Sequence, residues 1–175
     1  MKMRFVLVCG LILSVVTSKA QTAFEEISAD PNKSASVYYA YPEISEQYTL
    51  PPEGYTPFYI SHYGRHGSRY LISDSEYQTV MEILDKADAV GFLTDKGKSV
   101  RSRLEVVWRD AEGLGGQLTP LGYRQHRSIS ERMFYNFPDV FKGKRKISAC
   151  STVVIRCALS MATFCETLKG LNPEL

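Results

Sequence analysis

The sequence predicts an α/β fold, in which strands of a sheet alternate with helices. A short aromatic and β-branched run, residues 58–62, is typical of a buried strand that leads into a glycine-bearing loop. Residues 146–151 form a second strand candidate, which is also followed by a polar loop. Between and after these runs the apolar residues fall at helical spacing. Because ligands of open α/β sheets bind outside the carboxyl ends of the strands, both loops are candidate binding segments.

Four helices are predicted from the apolar spacing and from residues that begin or end helices. Threonine before proline is a strong start signal, because the hydroxyl caps the helix and proline fits its first position. In chain order, one helix runs from Asp74 or Ser75 to Gly91, one is capped by Thr94, one runs from Thr119-Pro120 to about Tyr135, and one runs from Val153 to Leu168 with Gly170 past its end.

Residues 1–20 have the pattern of a secretory signal peptide, cleaved near Ala20. Lys2 and Arg4 precede an apolar stretch that is short for a membrane span, so we expect a secreted or periplasmic protein without a stable membrane anchor. Loss of these two residues and Lys19 changes the net charge from +2 to −1. A chain without excess positive charge is not expected to bind nucleic acid.

The rest of the chain is expected to form two parts. Residues 21–57 are polar, interrupted by five prolines and dotted with tyrosines. This composition predicts an extended N-terminal arm without regular elements, whose tyrosines gain by packing on a core. Residues 58–175 are expected to form the α/β domain.

The run Arg65-His66-Gly67-Ser68-Arg69 is the main candidate for chemistry. An imidazole can attack phosphorus and hold the phosphoryl group covalently. Arginines suit the same site, because their planar guanidinium makes two parallel hydrogen bonds to a phosphate and stays charged. Gly67 removes a side chain where the backbone must approach a ligand. The alternative is a surface loop in which two arginines happen to flank a histidine.

Two further motifs follow the first. Ser151-Thr152-Val153-Val154-Ile155-Arg156 is predicted to open a helix, which would put Arg156 where backbone N–H groups favour an anion. The alternative interpretation is a surface arginine behind an ordinary N-cap. The third motif, Leu118 to Gln125, is interpreted as a capped helix whose Gly122 allows close packing, and we assign it no chemistry.

Together, Arg-His-Gly-x-Arg, Leu-Thr-x-x-Gly-x-x-Gln and Ser-Thr-x-x-x-Arg resemble the histidine acid phosphatase branch of the histidine phosphatase superfamily. The Arg69-Tyr70 pair is most similar to multiple inositol polyphosphate phosphatases, which are phytase-like. The resemblance covers roughly residues 58–169. It implies a three-layer sheet-and-helix fold, incomplete at the C-terminal end, and hydrolysis of a phosphorylated small molecule such as phytate. It also implies that His66 becomes phosphorylated while Arg65, Arg69 and Arg156 bind the scissile phosphate.

The resemblance also implies a later His-Asp or His-Ala-Glu motif, which supplies the acid that protonates the leaving oxygen. The other histidines, His62 and His126, do not stand in that pattern, so we expect the chain to be an N-terminal part of the family's full length. Two alternatives stay open: a phosphate-binding pseudo-enzyme, and a phosphoglycerate mutase-like enzyme that shares the first motif. The predicted export counts against the second alternative, since its substrates are intracellular.

Neither a metal nor an organic cofactor is expected, because the arginines supply the positive charge. Cys150, Cys157 and Cys165 lack histidines at ligand spacing, and their odd number leaves at least one unpaired or paired beyond the chain. The basic run at residues 142–146 is interpreted as a solvated turn, with steering of a polyanionic substrate as the alternative.

Overall fold

The computed structural model describes residues 22–44 and 48–175. The predicted signal peptide therefore lies outside the described residues. The chain divides into two units, one that ends at Tyr39 and one that spans Ala40–Leu175.

The described residues of the first unit form two short helical elements. Helix α1 (Ala23–Ala29) begins with a capping box, in which the Thr22 hydroxyl accepts a hydrogen bond from the Glu25 backbone and the Glu25 carboxylate accepts one from the Thr22 backbone. A 3₁₀ segment (Pro31–Tyr38) follows, with proline in its first turn and the Asp30 side chain as its cap. The prediction that prolines exclude regular elements is wrong for this segment, because Pro31 stands at a helix start, where its missing N–H costs nothing.

Within residues 40–44 and 48–175, the second unit forms four helices and a 3₁₀ turn. The cap at Thr94 is confirmed, since its hydroxyl accepts a hydrogen bond from Gly97 N. The Thr119 cap is confirmed in the same way. The last helix begins later than predicted, with Val154 at the N-cap, and continues through Gly170. In chain order the elements are α2 (Ser75–Ala89), α3 (Asp95–Ala111), α4 (Pro120–Asn136), the 3₁₀ turn (Pro138–Val140) and α5 (Ile155–Leu171).

The predicted α/β three-layer fold is wrong for the described part of the chain, which is helical. The single β pairing there is an isolated antiparallel bridge between Arg69 and Leu118. Both strand candidates, residues 58–62 and 146–151, lack a ladder of hydrogen bonds to a neighbour. Phe58 is 88% exposed, which is the reverse of a buried strand. Residue type indicates how readily a segment pairs, but a strand exists only where a partner backbone satisfies it.

The helices form two pairs, α2 with α3 and α4 with α5. Arg101 on α3 links the first pair through ion pairs to Asp85 at 2.6 Å and Asp88 at 3.6 Å on α2. None of the helices among the described residues is long and apolar enough to cross a membrane. In the part of the chain that the structure describes, the buried apolar residues are Tyr77, Ala111, Leu118, Phe141 and Leu168.

Helices α4 and α5 bury small hydroxyl-bearing residues. Ser130 of α4 and Ser160 of α5 are 0% and 3% exposed. Each hydroxyl donates to a carbonyl of its own helix, Ser130 to Arg127 and Ser160 to Arg156, both at 2.8 Å. Because these bonds satisfy the buried donors, the helices can approach closely without an unpaired hydroxyl. Each hydroxyl oxygen also keeps acceptor capacity, and Ser160 Oγ uses it to accept a hydrogen bond from Gly67 N.

Candidate active site

The loop Arg65–Arg69 is attached to the N-terminus of α4 through Ser68. The Ser68 carbonyl accepts hydrogen bonds from both the backbone N–H and the hydroxyl of Thr119, each at 2.9 Å. The Thr119 oxygen also accepts from Gly122 N at 3.1 Å, as the N-cap of the helix. The residue that begins α4 therefore also fixes the backbone of the loop.

Gln125, one turn into α4, also makes hydrogen bonds to Ser68. Its Oε1 accepts from Ser68 N at 2.7 Å, and its Nε2 donates to Ser68 Oγ at 2.9 Å. Gln125 is 9% exposed, so these bonds are largely shielded from water. Because the amide donates with one atom and accepts with the other, the pair defines a single orientation of Ser68.

Gly67 makes the third attachment, to α5. Its N–H donates to Ser160 Oγ at 3.1 Å, and this hydroxyl donates in turn to the Arg156 carbonyl at 2.8 Å. Ser160 thus links the residue beside His66 to the first turn of α5, where Arg156 stands. Two of the predicted segments, 93 residues apart in sequence, meet through one side chain.

Arg69 and Arg156 approach the same stretch of backbone. Arg69 forms the bridge with Leu118, and Arg156 Nη1 lies 3.4 Å from the carbonyl oxygen of Gly116. The Nε of Arg156 is buried and has no hydrogen-bond partner among the described residues. Arg69 Nη1 donates to the carbonyl of Tyr70 at 2.7 Å. The three predicted arginines thus fall into two places, Arg65 at the entry of the loop and the other two near residues 116–118.

The segment after the loop is held by the α2–α3 pair. Leu71 N donates to the Tyr77 hydroxyl on α2 at 2.9 Å. The Tyr70 hydroxyl donates to Asp110 on α3 at 3.2 Å, and the pKa of Tyr70 is raised by burial and then by that carboxylate. Both helix pairs therefore hold the chain on either side of Arg69.

His66 is half-buried, and its hydrogen bond identifies its tautomer. Nδ1 lies 2.8 Å from the carbonyl oxygen of Gly67. Because a carbonyl only accepts, Nδ1 must carry the proton, and in the neutral ring the lone pair then resides on Nε2. Nε2 is the atom available for nucleophilic attack.

All three histidines of the chain lie in this region. His62 stacks on Phe164 of α5, with ring centroids 5.1 Å apart. His126 on α4 is 5% exposed, hydrogen-bonds to the Arg65 backbone, and has no partner for Nε2 among the described residues. Burial lowers the pKa of His126, the bond to Arg65 opposes the shift, and positive charge on His62 or His66 adds to it.

Sequence reasoning missed three residues of this site. Gln125 and Ser160 hold the loop, and the only sequence signal was that Gln125 belongs to a motif to which we assigned no chemistry. Tyr41, which contacts Arg65, was one of several tyrosines in a polar segment. No periodicity relates a residue in an irregular segment to a loop 24 positions later, so nothing in the sequence singled it out.

Other candidates lie apart from the loop. The basic run at residues 142–146 sits beside the C-terminal end of α5, where Asn172 donates to the carbonyls of Phe141 and Gly143. Arg156 stands at the other end of that helix, about 24 Å away at the rise of an α-helix. Within residues 22–44 and 48–175, no group of His, Cys, Asp or Glu residues is arranged to hold a metal ion. Cys150, Cys157 and Cys165 are free thiols.

Comparison with known proteins adds no relative: neither a protein-family model nor a curated protein sequence matches this chain.

Proposed function

We propose that the protein is a phosphomonoester hydrolase that works through a phosphohistidine at His66. The observation that carries the proposal is the meeting of two distant segments, the start of α4 and the first turns of α5, at the loop that contains His66. Thr119 and Gln125 bond to Ser68, and Ser160 bonds to Gly67, so α4 and α5 both hold the backbone next to His66.

The tautomer of His66 fits a nucleophile. With the Nδ1 proton donated to Gly67, the Nε2 lone pair attacks phosphorus, and the bond from phosphorus to the ester oxygen breaks. The ester oxygen leaves with the bonding electrons and takes up a proton from water. Water then attacks the phosphorus of the phosphohistidine and the N–P bond breaks. Inorganic phosphate is released and neutral histidine is regenerated. The arginines stabilise the phosphate oxygens during both steps.

The unpaired Nε atom of the half-buried Arg156 supports a role in binding an anion. A guanidinium whose Nε is buried and lacks a partner among the described residues has hydrogen-bonding capacity left over. A phosphate oxygen is a strong acceptor for such a donor. The preference for inositol polyphosphates follows from the resemblance at Arg69-Tyr70, and we propose phytate as the natural substrate class.

The test is to trap the phosphoenzyme. The protein is incubated with p-nitrophenyl phosphate, whose weakly basic leaving group needs little help from an acid, and is quenched in alkali. Peptide mass spectrometry then locates the phosphoryl group. We expect it on His66 and expect none in His66→Ala. His62→Gln is the matched control, since it removes a neighbouring histidine and should keep the label.

Competition with phytate tests the substrate class. If phytate protects His66 from labelling at lower concentration than inorganic phosphate does, an inositol polyphosphate preference is supported. Phosphate binding without any label on His66 would contradict the hydrolase and favour a phosphate-binding pseudo-enzyme. A label that persists in His66→Ala would contradict the assignment of the nucleophile.

A further inference from the structure

Tyr41 contacts both the backbone and the side chain of Arg65. Its hydroxyl donates to the Arg65 carbonyl oxygen at 2.5 Å. Its ring lies beneath the guanidinium, with the Arg65 Cζ atom 5.5 Å from the ring centroid. That distance is within the range of a cation–π interaction. One side chain from outside the three motifs therefore engages Arg65 at two points.

His126 completes this arrangement from α4. Its ring meets Tyr41 edge-on, with centroids 5.8 Å apart and planes at 79°. It also hydrogen-bonds to the Arg65 backbone. A carbonyl oxygen has two lone pairs, so it can accept from the Tyr41 hydroxyl and the His126 imidazole at once. Since His126 is only 5% exposed, it offers Tyr41 a fixed surface to pack against.

The bond to the Arg65 carbonyl matters because of where that carbonyl sits. It belongs to the planar peptide unit that joins Arg65 to His66. Because the unit is planar, a hydrogen bond that orients the carbonyl oxygen also orients the N–H and Cα of His66. The Tyr41 ring contacts the guanidinium at the other end of Arg65. An exposed arginine loses considerable rotamer entropy when it binds an anion, and a side chain that is already held in place loses less.

We propose that Tyr41 is a positioning residue for the phosphate site, through its hold on Arg65 and on the peptide that leads to His66. This inference rests on the proposed function. The ring prepares the guanidinium to bind phosphate, and the hydroxyl orients the nucleophile. The two parts of the side chain thus affect two different measurements.

Two substitutions separate these parts. Tyr41→Phe keeps the ring and removes the hydroxyl, so it should leave the affinity for inorganic phosphate within about twofold. It should slow labelling of His66 by p-nitrophenyl phosphate roughly fivefold, the equivalent of one hydrogen bond. Tyr41→Leu should show the slower labelling and also bind phosphate about threefold more weakly, because it loses the ring. Calorimetry measures the binding.

The matched control is Tyr48→Leu, which removes a tyrosine of the same segment that contacts Phe137 instead, at 5.6 Å between centroids. It should change neither measurement. A double-mutant cycle then separates positioning from general loss of stability. In an Arg65→Ala background, Tyr41→Leu should have no further effect on phosphate affinity, since the guanidinium that it orients is gone.

The outcomes are distinct. If Tyr41→Leu lowered the affinity equally in the wild-type protein and in the Arg65→Ala background, the positioning role would be overturned. A Tyr41→Leu variant that binds and labels like the wild type would overturn it as well. If the wild-type protein neither bound phosphate nor became labelled, the proposed function itself would fail and this inference with it.

Discussion

The backbone of Gly122 occupies the space in which a side chain on Gly67 would stand. A Cβ added to Gly67 would lie 2.5 Å from the Gly122 carbonyl oxygen, and one added to Gly122 would lie 2.3 Å from the Ser68 carbonyl oxygen. Both obstacles are backbone atoms, which cannot rotate away. Close contact between the loop and α4 is therefore possible only with glycine at both positions.

Gly67→Ala and Gly122→Ala should each destabilise the protein by about 1–3 kcal/mol, the usual cost of overpacking. Urea unfolding measures the loss. Gly170→Ala is the matched control, because it stands in helix α5 with open space around its Cβ. Alanine there should instead stabilise by about 0.4–1 kcal/mol. A neutral Gly122→Ala would mean that the loop does not pack against α4 as described.

Replacement of Gln125 tests the hydrogen bonds to Ser68. Gln125→Leu removes both and leaves the Ser68 N–H without its partner, so we expect a loss of about 1–3 kcal/mol in stability. Labelling of His66 should slow as well, because the loop loses its orientation. Gln78→Leu makes the same chemical change at an exposed position of α2 and should alter stability by less than about 0.5 kcal/mol. Equal effects of the two variants would contradict a special role for Gln125.

Substitutions at the two ends of α5 should have different effects on phosphate binding. Arg156→Ala should weaken the binding of inorganic phosphate by roughly 10- to 100-fold, the equivalent of a hydrogen bond to a charged group. Arg145→Ala, in the basic run at the far end, should change it by less than about twofold at physiological ionic strength, because charges this far apart are screened. Calorimetry measures both. A large effect of Arg145→Ala would instead support steering by the basic run.

The helices could be predicted from sequence because their signals are local. Thr94 and Thr119 bond to backbone atoms three residues away, and such contacts depend only on neighbouring residues. The absence of a sheet from the described residues could not be foreseen, since whether residues 58–62 form a strand depends on a distant partner segment. The motifs drew attention to Arg65, His66 and Arg156, but gave no sign of Ser160, which links the loop to the turn that carries Arg156 and whose small hydroxyl is typical of any helix interface.

The state of His126 predicts a loss of stability in acid. Burial lowers the pKa of His126 below the ordinary value of 6.5. As the pH falls, the unfolded chain therefore takes up a proton at a higher pH than the folded protein does. Stability is therefore complete above pH 6.5 and falls as the pH drops from there to the folded pKa, where the loss levels off. Urea unfolding across this range measures it. His126→Leu should flatten the dependence of the free energy of unfolding on pH. His62→Gln should keep most of that dependence, because burial lowers the pKa of His126 more than the charge of His62 does.

The leaving oxygen of a phosphate ester needs a proton when its conjugate acid is weak. Attack by His66 needs no acid, but a strongly basic leaving group departs slowly unless it is protonated. His126 is a poor donor, since burial favours its neutral form. We therefore expect labelling of His66 by phenyl phosphate to be at least about a hundredfold slower than by p-nitrophenyl phosphate, in line with the usual contribution of general acid catalysis. Rapid-quench labelling measures both rates. Similar rates would mean that a side chain within these 175 residues already donates the proton.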